Sequence, residues 1–129
     1  MISKKEIIKT QTQTIFKRKE SEIQKECLQM MQILENQSKI YFLRCNVYKG
    51  KIKRKDGSEG FMRTGKAGAP DIIFSLAPTG KFIGFETKTK NGVQSYDQKK
   101  AQKAIERTGG KYFIIRSVRD MIYVLQNLE

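Results

Sequence analysis

Gly-Ala-Pro-Asp-Ile-Ile-Phe-Ser-Leu-Ala-Pro-Thr-Gly-Lys-Phe-Ile-Gly-Phe-Glu-Thr-Lys, residues Gly68 to Lys88, holds two apolar runs, Ile72 to Leu76 and Phe82 to Phe85, on either side of Ala77-Pro78-Thr79-Gly80. Proline second and glycine fourth in that tetrad suit a type I turn. The stretch therefore reads as a β-hairpin. Asp71 opens its first strand, and Glu86 and Lys88 close its second. Side chains alternate along a strand, so Glu86 and Lys88 share one face. Antiparallel pairing across a short turn brings Asp71 level with them. Two carboxylates and an amine then converge at one edge of a small apolar sheet.

Working outward, Lys19 to Gln37 has a helical period, with Ile23, Cys27, Met30, Met31 and Leu34 in one apolar stripe. At ~100° per residue, Glu20 lies roughly 45° from the centre of that stripe, Glu26 about 75° and Glu22 about 115°. Glu20 is thus aimed most nearly at the core side, although an acid in a first helical turn is also favourable by position alone. Ile40 to Tyr48 is rich in strand formers, with Arg44 and Asn46 on one face. Half of the ten glycines fall between Gly50 and Gly68, and Lys49, Lys51, Lys53, Arg54 and Lys55 precede an Asp56-Gly57 turn signal. The stretch from Lys49 to Lys66 reads as a flexible basic loop or ribbon able to meet phosphates. The equally physical reading is a solvated surface loop.

Downstream of the hairpin, Asn91-Gly92 makes a turn, and Ser95 with Gln98 forms a Ser-x-x-Gln capping box. A helix made basic by Lys99, Lys100, Lys103 and Arg107 runs to Thr108 and stops at Gly109-Gly110. Tyr112 to Arg116 is a short strand, and Ser117 caps a last helix carrying Val118, Met121, Ile122, Leu125 and Leu128. A helix between the hairpin and the later strand is a crossover, which makes part of the sheet parallel. The expected class is α/β, a small mixed sheet with flanking helices in the order α-β-β-β-α-β-α. Residues 1–18 form a basic arm, frayed or briefly helical, and 19–129 a single domain large enough for its own core.

Lys and Arg number 26 against 13 Asp and Glu, a net charge of +13 that attracts polyanions, nucleic acid foremost. No segment approaches the apolar length of a membrane span, and Met1 to Glu6 lacks the apolar core of a signal peptide, so a cytoplasmic location is expected. Cys27 and Cys45 are too few for a disulfide framework or a cysteine zinc site and are expected to be buried thiols. The chain has no histidine. Histidine acid–base catalysis, Ser-His-Asp triads and imidazole zinc sites are excluded. Catalysis, if present, rests on carboxylates, lysines or a hard cation held by oxygen.

Hydrolysing a phosphodiester needs an activated water and an offset for negative charge on the phosphate, and Mg²⁺ or Mn²⁺ on carboxylate oxygens supplies both. Asp71 and Glu86 are the candidate ligands from neighbouring strands, with Glu20 a third and the Thr87 carbonyl a fourth. Glu22 and Glu26 remain rivals to Glu20. Lys88 is placed to orient the water or face the developing charge. Arg44, Asn46, Lys51, Lys53, Arg54, Lys55, Lys66 and Lys99 are the candidate DNA contacts. The alternative is a basic nucleic-acid-binding module without catalysis, its acids only bracing the fold.

Pro70-Asp71, a gap of fourteen residues, then Glu86-Thr87-Lys88 resembles the PD-(D/E)xK nuclease signature. More narrowly, six ordered stretches resemble the virus-type replication-repair nuclease family, VRR-NUC. They are Glu20-Ser-Glu-Ile-Gln24, Arg44-Cys-Asn46, Gly68-Ala-Pro-Asp71, Phe85-Glu-Thr-Lys88, Ser95-Tyr-Asp-Gln98 and Gly109-Gly110. The resemblance covers roughly residues 19 to 126. It implies a restriction-endonuclease-like core and a Mg²⁺- or Mn²⁺-dependent DNA endonuclease. Asp71 and Glu86 would bind the metal, Lys88 would serve the attacking water, Glu20 would be the first-helix acid, and Gln98 would support the site. It also implies a homodimer acting on branched DNA, four-way junctions or flaps. The basic segment Lys49 to Lys66 is longer than a minimal member needs.

Overall fold

A computed structural model describes residues 19–45 and 49–128. The basic arm and Asn46 lie outside the described residues. Those described run α1 (Glu20–Asn36), β1 (Ile40–Arg44), β2 (Lys49–Lys53), β3 (Glu59–Arg63), β4 (Ile72–Leu76), β5 (Lys81–Thr87), α2 (Tyr96–Arg107), β6 (Lys111–Ile115) and α3 (Val118–Gln126). Strands β1, β4, β5 and β6 form one sheet in that order, while β2 and β3 form a separate antiparallel ribbon. The β1–β4 and β4–β5 pairs are antiparallel and β5–β6 is parallel, so the sheet is mixed. The class is α/β, a small mixed sheet with three helices.

Three details differ from the sequence reading. The expected order lacks β2 and β3, because their glycine-rich, lysine-rich residues mask a period of two. The strand expected over residues 40–48 ends at Arg44, where the ladder to β4 closes with the Cys45 N–H donating to the Asp71 carbonyl at 2.8 Å. The hairpin turn is wider than type I. Gly80, at φ +74°, donates its N–H to the Leu76 carbonyl at 2.7 Å, an i to i+4 closure rather than i to i+3.

The core lies on one face of the sheet. Helix α1 buries Ile23, Cys27, Met30, Met31 and Leu34, the stripe expected from its period, and α3 buries Val118, Met121, Ile122 and Leu125. They meet Ile72, Phe74, Ile83, Phe85 and Ile115. Each such side chain contributes roughly 1.5–3 kcal/mol on leaving water. Phe85 packs edge-to-face with Phe74 at 4.9 Å and with Phe113 at 6.2 Å, which ties three strands together.

Helix α2 sits on the opposite face. A Cβ on Gly84 would lie 2.8 Å from Pro70 Cγ and 3.5 Å from Ile105 Cδ1. Gly84 alternates with the core-facing Ile83 and Phe85, so Pro70 and Ile105 pack on the far side of β5. Glu86, two residues on, shares that side. The missing side chain at Gly84 therefore lets α2 and the segment before β4 close down beside Glu86. Among the described residues, no helix is long and apolar enough to cross a membrane.

Candidate active site

The β4–β5 register pairs Ile73 with Gly84 and Ile72 with Phe85; one step further it sets Asp71 opposite Glu86. Asp71 Oδ2 accepts from the Thr87 N–H at 2.8 Å and from Thr87 Oγ1 at 2.7 Å. Both donors come from a fully buried residue, so the aspartate is held where β4 begins. Glu86 is only 2% exposed and needs a partner of its own. Gln98 Nε2 donates to Glu86 Oε1 at 2.7 Å. The other half of the same amide, Gln98 Oε1, accepts from the Ser95 N–H at 2.9 Å, while Ser95 Oγ accepts from the Gln98 N–H at 3.2 Å. The capping box thus uses the amide oxygen and leaves the amino group aimed at Glu86.

Burial, then the hydrogen bond and charge of Asp71, push the Glu86 carboxyl from 4.5 up to about 9. Glu20 adds to the rise, and the Lys88 charge opposes it. At neutral pH Glu86 therefore keeps a proton, which lets two acids share one position. A hard divalent cation suits such a pair, because it brings more positive charge to oxygen ligands than the proton does. Asp71 and Glu86 fit that role by chemistry. Among the described residues, no group of three or more His, Cys, Asp or Glu side chains is close enough to hold an ion together. Glu20 lines the same cleft as the pair but does not join it in a close group.

The cleft has a volume of about 720 Å³, with Asp71, Glu86 and Gln98 among its lining residues. Glu20, Gln24, Arg44 and Arg63 also line it, and Gln24 Oε1 accepts from Arg44 Nη2 at 3.2 Å. Gly68, at φ +78°, closes one side, where a Cβ would collide with the Asp97 carbonyl in the first turn of α2. Only glycine fits there. Of the three rival acids, Glu20 lines the cleft, whereas Glu22 accepts from the Lys19 N–H at 3.2 Å at the start of α1 and Glu26 lies a turn further along.

Lys88 and Thr87 do not line the cleft. The Lys88 N–H donates to the Ile115 carbonyl at 3.0 Å, which extends the parallel pairing and keeps Lys88 on the Glu86 side of β5. Among the basic candidates, Arg44 is at the cleft wall, Lys51, Lys53 and Lys55 are exposed on the ribbon, Lys66 is exposed in the segment after it, and Lys99 is exposed on α2. Arg54 is engaged inside the ribbon. Its Nη1 donates to the Glu59 carbonyl at 2.9 Å, and its guanidinium covers Gly60.

Three residues escaped the sequence reading. Arg63 lines the cleft, and a period of two over Glu59 to Arg63 was the signal that the surrounding glycines and lysines hid. Cys45, expected to be buried, is half-buried and also lines the cleft, since β1 ends just before it. Arg116 Nη1 donates to the carbonyls of Thr89 at 2.7 Å and Gly92 at 2.6 Å, pinning the turn that follows Lys88. Nothing local in sequence announces that contact, which spans two elements. No protein-family model, curated protein or solved structure matches the chain.

Proposed function

We propose that the chain is a Mg²⁺- or Mn²⁺-dependent DNA endonuclease of the VRR-NUC type within the PD-(D/E)xK group, cutting branched DNA as a homodimer in the cytoplasm. One observation carries the reading: a buried Glu86, held by Gln98, meets Asp71 in a cleft that Arg44 and Arg63 also line. A structural acid pair needs no open approach and no cations around it. The branched substrate, the dimer and the location rest on the sequence resemblance and the net charge of +13.

Asp71 and Glu86 would hold the ion; Glu20 lines the cleft without joining them in a close group, and Thr87 does not line it. When bound, the ion supplies Lewis-acid activation of a water and neutralises charge on the phosphate. The chain's own groups do the rest. Thr87 fixes the Asp71 carboxylate, and Gln98 fixes that of Glu86, so neither rotates away as charge builds. Lys88 does not line the cleft, but its charge reaches Glu86, and from that side it would orient the attacking water. Arg44 and Arg63 hold the phosphate from the cleft wall, as the planar guanidinium fork suits. Water's oxygen would form the new bond to phosphorus as the bond from phosphorus to one sugar oxygen breaks. That oxygen would leave as a hydroxyl with the proton the water gives up.

Labelled four-way junction and flap DNA incubated with the protein and Mn²⁺ tests this. Cleavage that disappears in Asp71→Ala and in Lys88→Ala, with binding retained, is the expected result. Binding without cutting under Mg²⁺ and Mn²⁺ would instead leave a non-catalytic basic binding module. Matched RNA substrates separate a ribonuclease from a deoxyribonuclease, and light scattering with and without the junction reads the dimer.

A further inference from the structure

Among the described residues the β2–β3 ribbon forms a sheet of its own, yet its last residue, Arg63, lines the cleft. Its register pairs Lys51 with Phe61 and Lys53 with Glu59. Cross-strand partners share a face, and residues two apart on a strand share it too. Arg63, Phe61, Lys51 and Lys53 therefore occupy one face of the ribbon, the face that continues the cleft wall. Glu59 is the only acid on it among the described residues. On the opposite face Arg54 lies over Gly60. On the cleft-side face Phe61 stands 62% exposed among cations.

We propose that this ribbon face binds an unpaired DNA strand leading into the cleft, with phosphates on Arg63, Lys51 and Lys53 and one base stacked on Phe61. The cations complement a phosphate backbone. The aromatic ring is what selects an unpaired strand. Bases in a duplex have their faces covered by neighbouring bases, whereas an unpaired base offers a face to any aromatic surface. A ribbon built only for duplex phosphates gains nothing from a phenyl ring held in water. The inference rests on the nuclease reading only for the direction in which the strand runs, since the binding itself needs no cutting.

Fluorescence anisotropy in EDTA, with a labelled single-stranded DNA oligonucleotide and the blunt duplex of the same sequence, tests it without cleavage. Phe61→Ala is expected to weaken the single strand on the order of tenfold and to leave the duplex within about twofold. Phe61→Tyr should restore single-strand binding. A 2-aminopurine base in the single strand should be quenched by the wild type and not by Phe61→Ala. Arg63→Ala should lower the salt slope on the single strand by about 0.7, as one lost phosphate contact does. Phe61 is exposed, so thermal melts of the variant should match the wild type. Equal losses on single strand and duplex, or an unchanged 2-aminopurine signal in Phe61→Ala, overturn the proposal. Absence of cutting in Mn²⁺ with single-strand binding intact sinks the nuclease and leaves the ribbon standing.

Discussion

At the scale of single residues, Glu86 carries the most consequence. Its neighbours raise its pKa in the folded chain to about 9 from 4.5, so folding favours the protonated form. The stabilisation that follows is complete below 4.5 and is lost as pH rises through about 9. In a chelator, the melting temperature should therefore fall between pH 5 and pH 9. Glu86→Gln, which keeps the shape and the Gln98 partner, should flatten that fall. Cys27 and Tyr112, each pushed up to about 12, act only above this window. Added Mn²⁺ should reverse the trend, because the ion competes with the proton and binds the folded chain more tightly as pH rises. Melts at several pH values with and without Mn²⁺ check both halves. A wild type whose chelated melting temperature is flat with pH, like that of Glu86→Gln, would mean that burial and Asp71 do not hold the Glu86 carboxyl above its ordinary range.

At the scale of elements, the start of α2 is both a cap and a piece of the site. Ser95→Ala removes one cap bond and should cost about 0.5–2 kcal/mol of stability while the Gln98 to Glu86 bond remains. Gln98→Ala loses the capping-box side chain and the partner of a buried acid together. It should cost a similar amount of cap energy and also reduce cleavage at saturating Mn²⁺ by tenfold or more. If the two variants cut equally well, Gln98 is only a cap. This dual use was half legible in sequence. Ser95-x-x-Gln98 announces a helix start by itself, but which way the amide's amino group points depends on β5 lying beneath it. The hairpin and the stripes of α1 and α3 were legible for the same reason, each being a local period. The ribbon was not, because Gly50, Gly57 and Gly60 interrupt its alternation and lysines stand where strand formers would signal. Arg63 went unseen with it.

At the scale of the whole molecule, the layering separates the apolar core from the candidate site. One face of the sheet is apolar and covered by α1 and α3; the other carries Gly84, Glu86 and α2. The sheet also has two ends. The wide turn at Gly80 marks one, with Lys81 and Lys111 exposed near it, whereas Asp71, Glu86 and the cleft mark the other. A net charge of +13 favours polyanions in general, and the sequence alone does not say where on the surface they would sit. The two ends make that question measurable. If DNA lies across the cleft, Lys66 and Lys99, exposed near it in the chain, should each touch a phosphate. Removing either should lower the slope of log K against log salt on duplex DNA by about 0.9. Lys81→Ala and Lys111→Ala lower the net charge by the same amount at the far end and should leave the slope unchanged. Titrations of the four variants from low to moderate salt decide it. Equal slopes for all four would mean that the charge acts as a diffuse field with no preferred end, and the cleft would lose its claim to the DNA.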